Sequence, residues 1–208
     1  MQAADEDINE NGRITFSVLN FTESVGIFDN GSIYIISPID AEQQGTVLSI
    51  GITATDGGEP ALSATCLLKL QIRDLNDNPP SFIQGSTTLS IPESTPSGRI
   101  KMIKMMLLGV SHWLMMFLGQ IVYTVETEDK DITSPNNLVS YSLSNSDGTF
   151  IIDSQSGDIR LTRKLDADLV VTDYELTVIA TDRGSPALSQ SEIITIQVKH
   201  QHFSTQIH

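Results

Sequence analysis

The densest set of potential metal donors in the chain is the run Asp74-Leu75-Asn76-Asp77-Asn78-Pro79-Pro80. It offers carboxylates, carboxamides and backbone carbonyls, all hard oxygen donors. A hard divalent cation gathers about six to eight such oxygens, and calcium accepts all three kinds in a flexible geometry. Taken alone, the run also reads as a hydrophilic Asp/Asn-rich linker, closed by two prolines that stiffen it and stop a strand. Paired carboxylates can serve hydrolysis as well. No Gly-x-Ser-x-Gly, His-Glu-x-x-His or phosphate loop accompanies them, so an enzyme is not expected. The four histidines are His112, His200, His202 and His208. His200 and His202 offer two zinc ligands at most, and a solvated tail is the simpler reading.

The charge balance points the same way. Acidic residues outnumber basic ones 26 to 12, for a formal net charge of -14. A polyphosphate surface needs the opposite field, so nucleic acid is not an expected partner and cations are. The single cysteine, Cys66, excludes an internal disulfide and a cysteine-rich zinc site. It lies in the apolar stretch Thr65-Cys66-Leu67-Leu68-Lys69-Leu70 and is expected to be a small core residue. Asn20-Phe21-Thr22 and Asn30-Gly31-Ser32 match the N-glycosylation pattern and favour a secreted glycoprotein. The first residues lack the basic and apolar regions of a signal peptide, and the last fit no anchor, so an internal piece of a longer extracellular protein is expected.

The elements that must position these donors are set by an internal repeat. Ala54-Thr55-Asp56-Gly57-Gly58-Glu59-Pro60-Ala61-Leu62-Ser63 recurs as Ala180-Thr181-Asp182-Arg183-Gly184-Ser185-Pro186-Ala187-Leu188-Ser189, with eight of ten positions identical. The offset of 126 holds without a gap from Asp40 to Gln71. Within each copy apolar residues alternate with polar ones, as in Tyr174–Ala180 and Ile193–Val198, the period of a half-buried strand. Ser156-Gly157-Asp158 and Asp29-Asn30-Gly31 suit tight turns that need positive φ. The spacing predicts strands in copy two near Leu89–Ile91, Ile121–Glu126, Val139–Leu143, Phe150–Asp153, Gly157–Thr162, Tyr174–Thr181 and Glu192–Lys199. Copy one begins just before its third strand, at Ile14–Val18. The expected fold is all-β: tandem immunoglobulin-like antiparallel β-sandwiches with Greek-key topology.

One segment breaks the pattern. Ile100–Gln120 holds five of the six methionines and the only tryptophan, Trp113. Subtracting its 21 residues from the offset of 126 leaves 105, the size of one sandwich. A spanning helix would need about 20 apolar residues, but Lys101, Lys104 and His112 interrupt. The alternatives are a partly apolar loop insertion and translated non-coding sequence. The last is preferred, because excision joins Arg99 to Ile121 as an ordinary turn and strand.

The acidic strings together resemble the cadherin repeat over nearly the whole chain apart from the insert and the last residues. They are Asp74-Leu75-Asn76-Asp77-Asn78-Pro79-Pro80, Ile91-Pro92-Glu93, Asp129-Lys130-Asp131, Asn136-Asn137, Leu165-Asp166-Ala167-Asp168 and Ala180-Thr181-Asp182. The resemblance implies cadherin-type repeats over residues 3–80, truncated at its start, and 81–199, carrying the insert, with a tail at 200–208. It implies Ca2+ at the junction, held by Asp40, Glu42, Asp74, the Leu75 carbonyl, Asn76, Asp77 and the Asn78 carbonyl. Copy two would add Asp129, Asp131, the Asn137 carbonyl and Asp182. Weaker half-sites would be Asp5, Asp7, the Asn11 carbonyl and Asp56, and Glu93, Asp166 and Asp168. The site of Asn76, Asn78, Asp129, Asp131, Asn137 and Asp182 has its full set, whereas the sites sharing the first-strand glutamate of copy one lack that residue. The resemblance further implies calcium-dependent, homophilic cell adhesion by the extracellular part of a plasma-membrane protein. Partners would be neighbouring repeats and cadherin-type ectodomains on the same or adjacent cells. The alternative, a calcium-stabilised matrix- or carbohydrate-binding module, would show itself by an exposed aromatic platform.

Overall fold

The computed structural model describes residues 2–6, 12–98, 100–107, 110–117, 119–165 and 173–199, with the backbone alone for 100–107 and 110–117. The chain divides into two compact units, Met1–Leu75 and Asn76–His208.

The first unit is built from β1 (Thr15–Val18), β2 (Val25–Ile27), β3 (Ile33–Ile35), α1 (Ala41–Gln44), β4 (Val47–Thr55) and β5 (Ser63–Gln71). β1, β4 and β5 form one sheet in that order, and β2 pairs with β3. Alternation along β4 sends Leu48, Ile50 and Ile52 inward, where they meet Val25 from β2, and all four are essentially fully buried. The one-turn helix α1 is fixed by Asp40, whose Oδ1 accepts the backbone N–H groups of Glu42 at 2.9 Å and Gln43 at 3.3 Å. That is the N-cap role of an aspartate.

The second unit contains β6 (Ser81–Phe82), β7 (Thr87–Pro92), β8 (Ile100–Leu107), β9 (Val110–Phe117), β10 (Ile121–Thr124), β11 (Thr127–Glu128), β12 (Ser140–Leu143), β13 (Phe150–Ile152), β14 (Asp158–Leu161), β15 (Asp173–Thr181) and β16 (Ser189–Lys199). Its two main sheets run β12-β15-β16-β7 and β10-β14-β13. Leu176, Val178, Ile194, Ile196 and Val198 from the first meet Phe150, Ile159 and Leu161 from the second in one core. At about 1.5–3 kcal/mol for each fully buried large apolar side chain, this core is the main source of the unit's stability.

The repeat read from the sequence is a repeat in space. Thr55 opposes Ser63 in the first unit and Thr181 opposes Ser189 in the second, so the long hairpins match strand for strand at the same offset. The two turns expected to need positive φ have it, at Gly31 (79°) and Gly157 (73°).

Four expectations are corrected. β7 pairs with β16 in parallel; inward-facing Leu89 and Ile91 are satisfied by either strand direction, so alternation could not choose. The strand expected over Ile121–Glu126 ends at Thr124, where the next N–H, that of Val125, turns to the Gly157 carbonyl at 3.0 Å, and β11 starts only at Thr127. The short β6 and α1 were not anticipated. Cys66, expected in the core, is exposed. It opposes Ile52 and so lies on the core side of the sheet, but an open hollow of about 170 Å³ lined partly by Phe16, Ile52 and Ala54 leaves it uncovered.

The anomalous segment forms the hairpin β8–β9, a two-stranded sheet of its own. None of the described helices is long and apolar enough to cross a membrane. Its ends meet: a Cβ added at Gly119 would lie 3.5 Å from the backbone nitrogen of Gly98. The Gly98 N–H reaches the Leu161 carbonyl at 3.1 Å, and Arg160 Nη1 donates to the Gly119 carbonyl at 2.9 Å. A chain that leaves and returns at one point can be cut there. Excising 100–118 should therefore leave the melting temperature of the second unit unchanged and reduce aggregation, since the segment is apolar. Loss of cooperative melting by calorimetry would show that the hairpin belongs to the fold.

Candidate metal centre

Within the second unit, the strand ends converge on three carboxylates. Asp182 follows β15, while Asp129 and Asp131 lie between β11 and β12. An oxygen from each lies within 4.8 Å of the others. Asp131 and Asp182 are each 2% exposed, which is unusual for carboxylates without a counter-charge.

Each is held by local hydrogen bonds. Asp182 Oδ1 accepts the backbone N–H groups of Gly184 at 2.9 Å and Leu188 at 3.1 Å, closing the loop between β15 and β16. Asp56 makes the same two bonds, to Gly58 and Leu62, in the first unit. Asp129 Oδ1 accepts the Asp131 N–H at 3.0 Å, so the aspartate two residues on is turned by the first. The carboxamides of the acidic run complete the set. Asn76 Nδ2 donates to Asp182 Oδ2 at 3.1 Å and to the Pro186 carbonyl at 2.7 Å. Asn78 Nδ2 donates to Asp131 Oδ1 at 2.9 Å and to Asp77 Oδ1 at 2.7 Å.

Asn76 Oδ1 and Asp131 Oδ2 are buried and have no hydrogen-bond partner. Leaving such atoms unsatisfied is costly. An oxygen-seeking cation would satisfy both, and the all-oxygen donor set fits calcium better than a metal preferring nitrogen or sulfur. Asn137 stands beside this group in sequence, its side-chain Oδ1 accepting from Ser134 Oγ at 3.1 Å.

The first unit carries its own acidic set. Asp40 caps α1, Glu42 lies in its first turn, and Asp74 is buried at 8% exposure. Oε1 of Glu42 is buried with no hydrogen-bond partner. The Glu42 carboxyl is pushed up to about 7 from 4.5, first by the Asp40 side chain, then by Asp74, then by burial. Asp40 is held below the usual carboxylate range, chiefly by Glu42 and, against the effect of burial, by the N–H groups of Gln43 and Glu42. Of the two carboxyls, Glu42 is therefore the one that takes up a proton first as the pH falls.

This fixes a sign. A carboxyl raised in the folded state stabilises fully below about 4.5 and loses that contribution as pH rises through about 7. In chelator, the first unit should therefore melt progressively lower between about pH 5 and about pH 8 through this group, and Glu42→Gln should flatten the slope. An unchanged slope in that variant, followed by circular dichroism, would remove Glu42 as its source.

The remaining donors implied by the resemblance are distributed as follows. Asp77 and Leu75 are exposed. Asp5 and Asp56 line one open hollow of about 210 Å³. Glu93 is half-buried after β7, its N–H on the Lys199 carbonyl at 3.0 Å. Asp7, Asn11, Asp166, Asp168, His200 and His202 lie outside the described residues.

Gly184 is a site residue that sequence reasoning missed. A Cβ there would come within 2.0 Å of Asn76 Cγ, so the loop must lack a side chain for Asn76 to reach Asp182. Gly184→Ala should push Asn76 out and weaken cation binding about tenfold while leaving the core intact, a difference of about 1.4 kcal/mol. Titration calorimetry with calcium would read it, and unaltered affinity would mean that Asn76 is not a ligand.

Tandem sandwiches with an oxygen-only cluster at a strand-end loop define the class of this chain. Residues 118–199 match the cadherin domain family. The chain is 32% identical over 203 residues to human Cadherin EGF LAG seven-pass G-type receptor 3, covering 96% of this chain and 5% of that protein. It is 30% identical over 202 residues to human Protocadherin Fat 1, covering 95% of this chain and 4% of that one. Among solved structures it resembles Protocadherin Gamma B2 extracellular cadherin domains 3-6, with a TM-score of 0.75, 26% identity, and coverage of 94% of this chain and 43% of that chain. Mouse Cadherin-23 EC22-24 superposes with a TM-score of 0.71 at 28% identity, over 95% of this chain and 57% of that chain. The chain belongs to the cadherin repeat family, and that membership sets aside the enzyme reading.

Proposed function

We propose that this chain is a stretch of the extracellular region of a plasma-membrane cadherin, that it binds Ca2+ through the acidic sets described above, and that it serves calcium-dependent, homophilic cell–cell adhesion. The observation that carries the calcium reading is the second unit's cluster, in which two aspartates at 2% exposure meet a third and buried oxygens go without a donor. Asn76, Asn78, Asp129, Asp131, Asn137 and Asp182 would hold the ion. Asp40, Glu42 and Asp74 would contribute where the first unit binds, with Leu75 and Asp77 as the intervening donors. The ion supplies positive charge that removes carboxylate repulsion, which favours an ordered Asp74–Pro80 segment.

The test has two arms. Calorimetry on this chain should show calcium binding, and chelation should expose Asp74–Pro80 to proteolysis; absence of both leaves an acidic linker and no metal centre. Beads coated with the full ectodomain should aggregate with calcium and disperse in chelator, and dispersal in both would remove adhesion. Among the described residues, the matrix- or carbohydrate-binding alternative finds one exposed aromatic pair, Phe28 over Tyr34 with ring centroids 4.4 Å apart. That pair lies beside an acceptor sequence of the chain itself.

A further inference from the structure

The two tripeptides with the N-glycan acceptor pattern are treated differently by the fold. Asn20 follows β1 and clamps β4: its Nδ2 donates to the Ser49 carbonyl at 2.9 Å and its Oδ1 accepts the Gly51 N–H at 2.8 Å. An amide that donates and accepts along one edge uses the N–H syn to its oxygen. In a glycosylated asparagine with a trans amide, the sugar carbon takes that place. A glycan on Asn20 would therefore replace the bond to Ser49 and point at its carbonyl.

Asn30 sits at the tip between β2 and β3. The Gly31 N–H donates to the Phe28 carbonyl and the Phe28 N–H to the Ser32 carbonyl, both at 2.8 Å, with Gly31 at φ 79°. This is a type I turn closed by a glycine in the left-handed region, a standard hairpin connection. Asn30 Oδ1 accepts the Ser32 N–H at 2.9 Å, and Nδ2 is not used in the turn. Asn30 and Ser32 are exposed. Phe28, two residues before Asn30, is 54% exposed, and its ring rests on Tyr34. The negative face of an aromatic ring attracts the partly positive C–H groups on one side of a pyranose, which also cover its apolar area.

We propose that Asn30 carries an N-linked glycan whose first sugar packs on Phe28, and that Asn20 stays unmodified in the folded protein. The inference rests on the extracellular reading, because the donor, a lipid-linked oligosaccharide diphosphate, is met in the secretory pathway. The bond formed is Nδ2–C1 and the bond broken joins C1 to the lipid diphosphate. The diphosphate leaves with the electron pair, and one Nδ2 proton goes to a base of the transferase.

The test is peptide mapping by mass spectrometry of the chain secreted behind a supplied leader. Glycan is expected at Asn30 and not at Asn20, lost in Ser32→Ala and kept in Thr22→Ala. Occupied Asn20 or bare Asn30 overturns the assignment. Since the leader supplies the compartment, that outcome speaks against the acceptor geometry. Extracellular placement is read separately, by antibody access to the native protein on unpermeabilised cells. Enzymatic removal of the glycan should lower the melting temperature of the parent and leave that of Phe28→Leu unchanged; equal shifts in both overturn the role of Phe28.

Discussion

Asp131→Ala should abolish most of the calcium-dependent rise in melting temperature while leaving the melting temperature in chelator unchanged or higher. The two signs follow from one site. With calcium, the substitution removes a ligand oxygen and one charge from a group in which Asp129, Asp131 and Asp182 lie within 4.8 Å. Losing an outer-shell partner typically costs about 10–100-fold in metal affinity, so a direct ligand should cost at least about 100-fold. At a calcium concentration of about 100 times the parent's dissociation constant, binding contributes about 2.7 kcal/mol; after a 100-fold loss it contributes about 0.4. The difference is on the order of 10 °C in melting temperature. Without calcium, the substitution relieves repulsion among buried carboxylates and removes the unpartnered Asp131 Oδ2, so the apo form should not suffer. The control is Asp147→Asn. Its carboxylate holds the Thr149 N–H at 2.8 Å in the loop between β12 and β13. That loop follows the end of β12 that pairs with Val178, the far end from Asp182. If Asp131→Ala and Asp147→Asn respond to calcium alike, the cluster binds no calcium.

How much of this was legible beforehand depended on the kind of signal. Alternation encodes which side of a sheet a residue faces, so the β4–β5 and β15–β16 hairpins and their inward Leu48, Ile50, Val178 and Ile196 could be read directly. It does not encode what lies opposite. Cys66 faces the core side, as its neighbours imply, and is nonetheless exposed. Nor does it encode strand direction, which is why the parallel β7–β16 pairing was missed. The helix α1 was legible in principle: Asp40 as N-cap, and Gly45 after the last turn at φ 82°, are ordinary boundary signals. Being one turn long, it gave no period to find. The proposed ligand residues came from family resemblance, since spacing along the chain cannot bring Asn76 to Asp182. The role of Gly184 was hidden for another reason. Gly58 occupies the same place in the first copy, where an added Cβ would meet nothing closer than 3.3 Å. The repeat therefore showed the glycine but not the side chain that makes it necessary.

The largest loss of stability should come from Phe150→Ala. Phe150 is 1% exposed and stands edge-on to Tyr174, with ring centroids 5.2 Å apart and planes at 72°. It reaches from β13 into the core where Leu176 and Val178 face Ile159 and Leu161. Truncating a buried phenylalanine costs about 3–5 kcal/mol, from lost transfer energy and from the cavity left behind. Domains of this size have about 5–15 kcal/mol in total, so the variant should be marginal in chelator. Calcium should then matter more than in the parent, because binding to the native state adds about 2.7 kcal/mol at 100 times the dissociation constant. The expected result is a second unit largely unfolded in chelator at body temperature and refolded by calcium, followed by circular dichroism and by the intrinsic exposure of the core to proteolysis. The double variant Phe150→Ala, Asp131→Ala should not be rescued. If calcium refolds the double variant as well as the single one, the ion stabilises the unit from some other place, and the link between this cluster and the fold is broken.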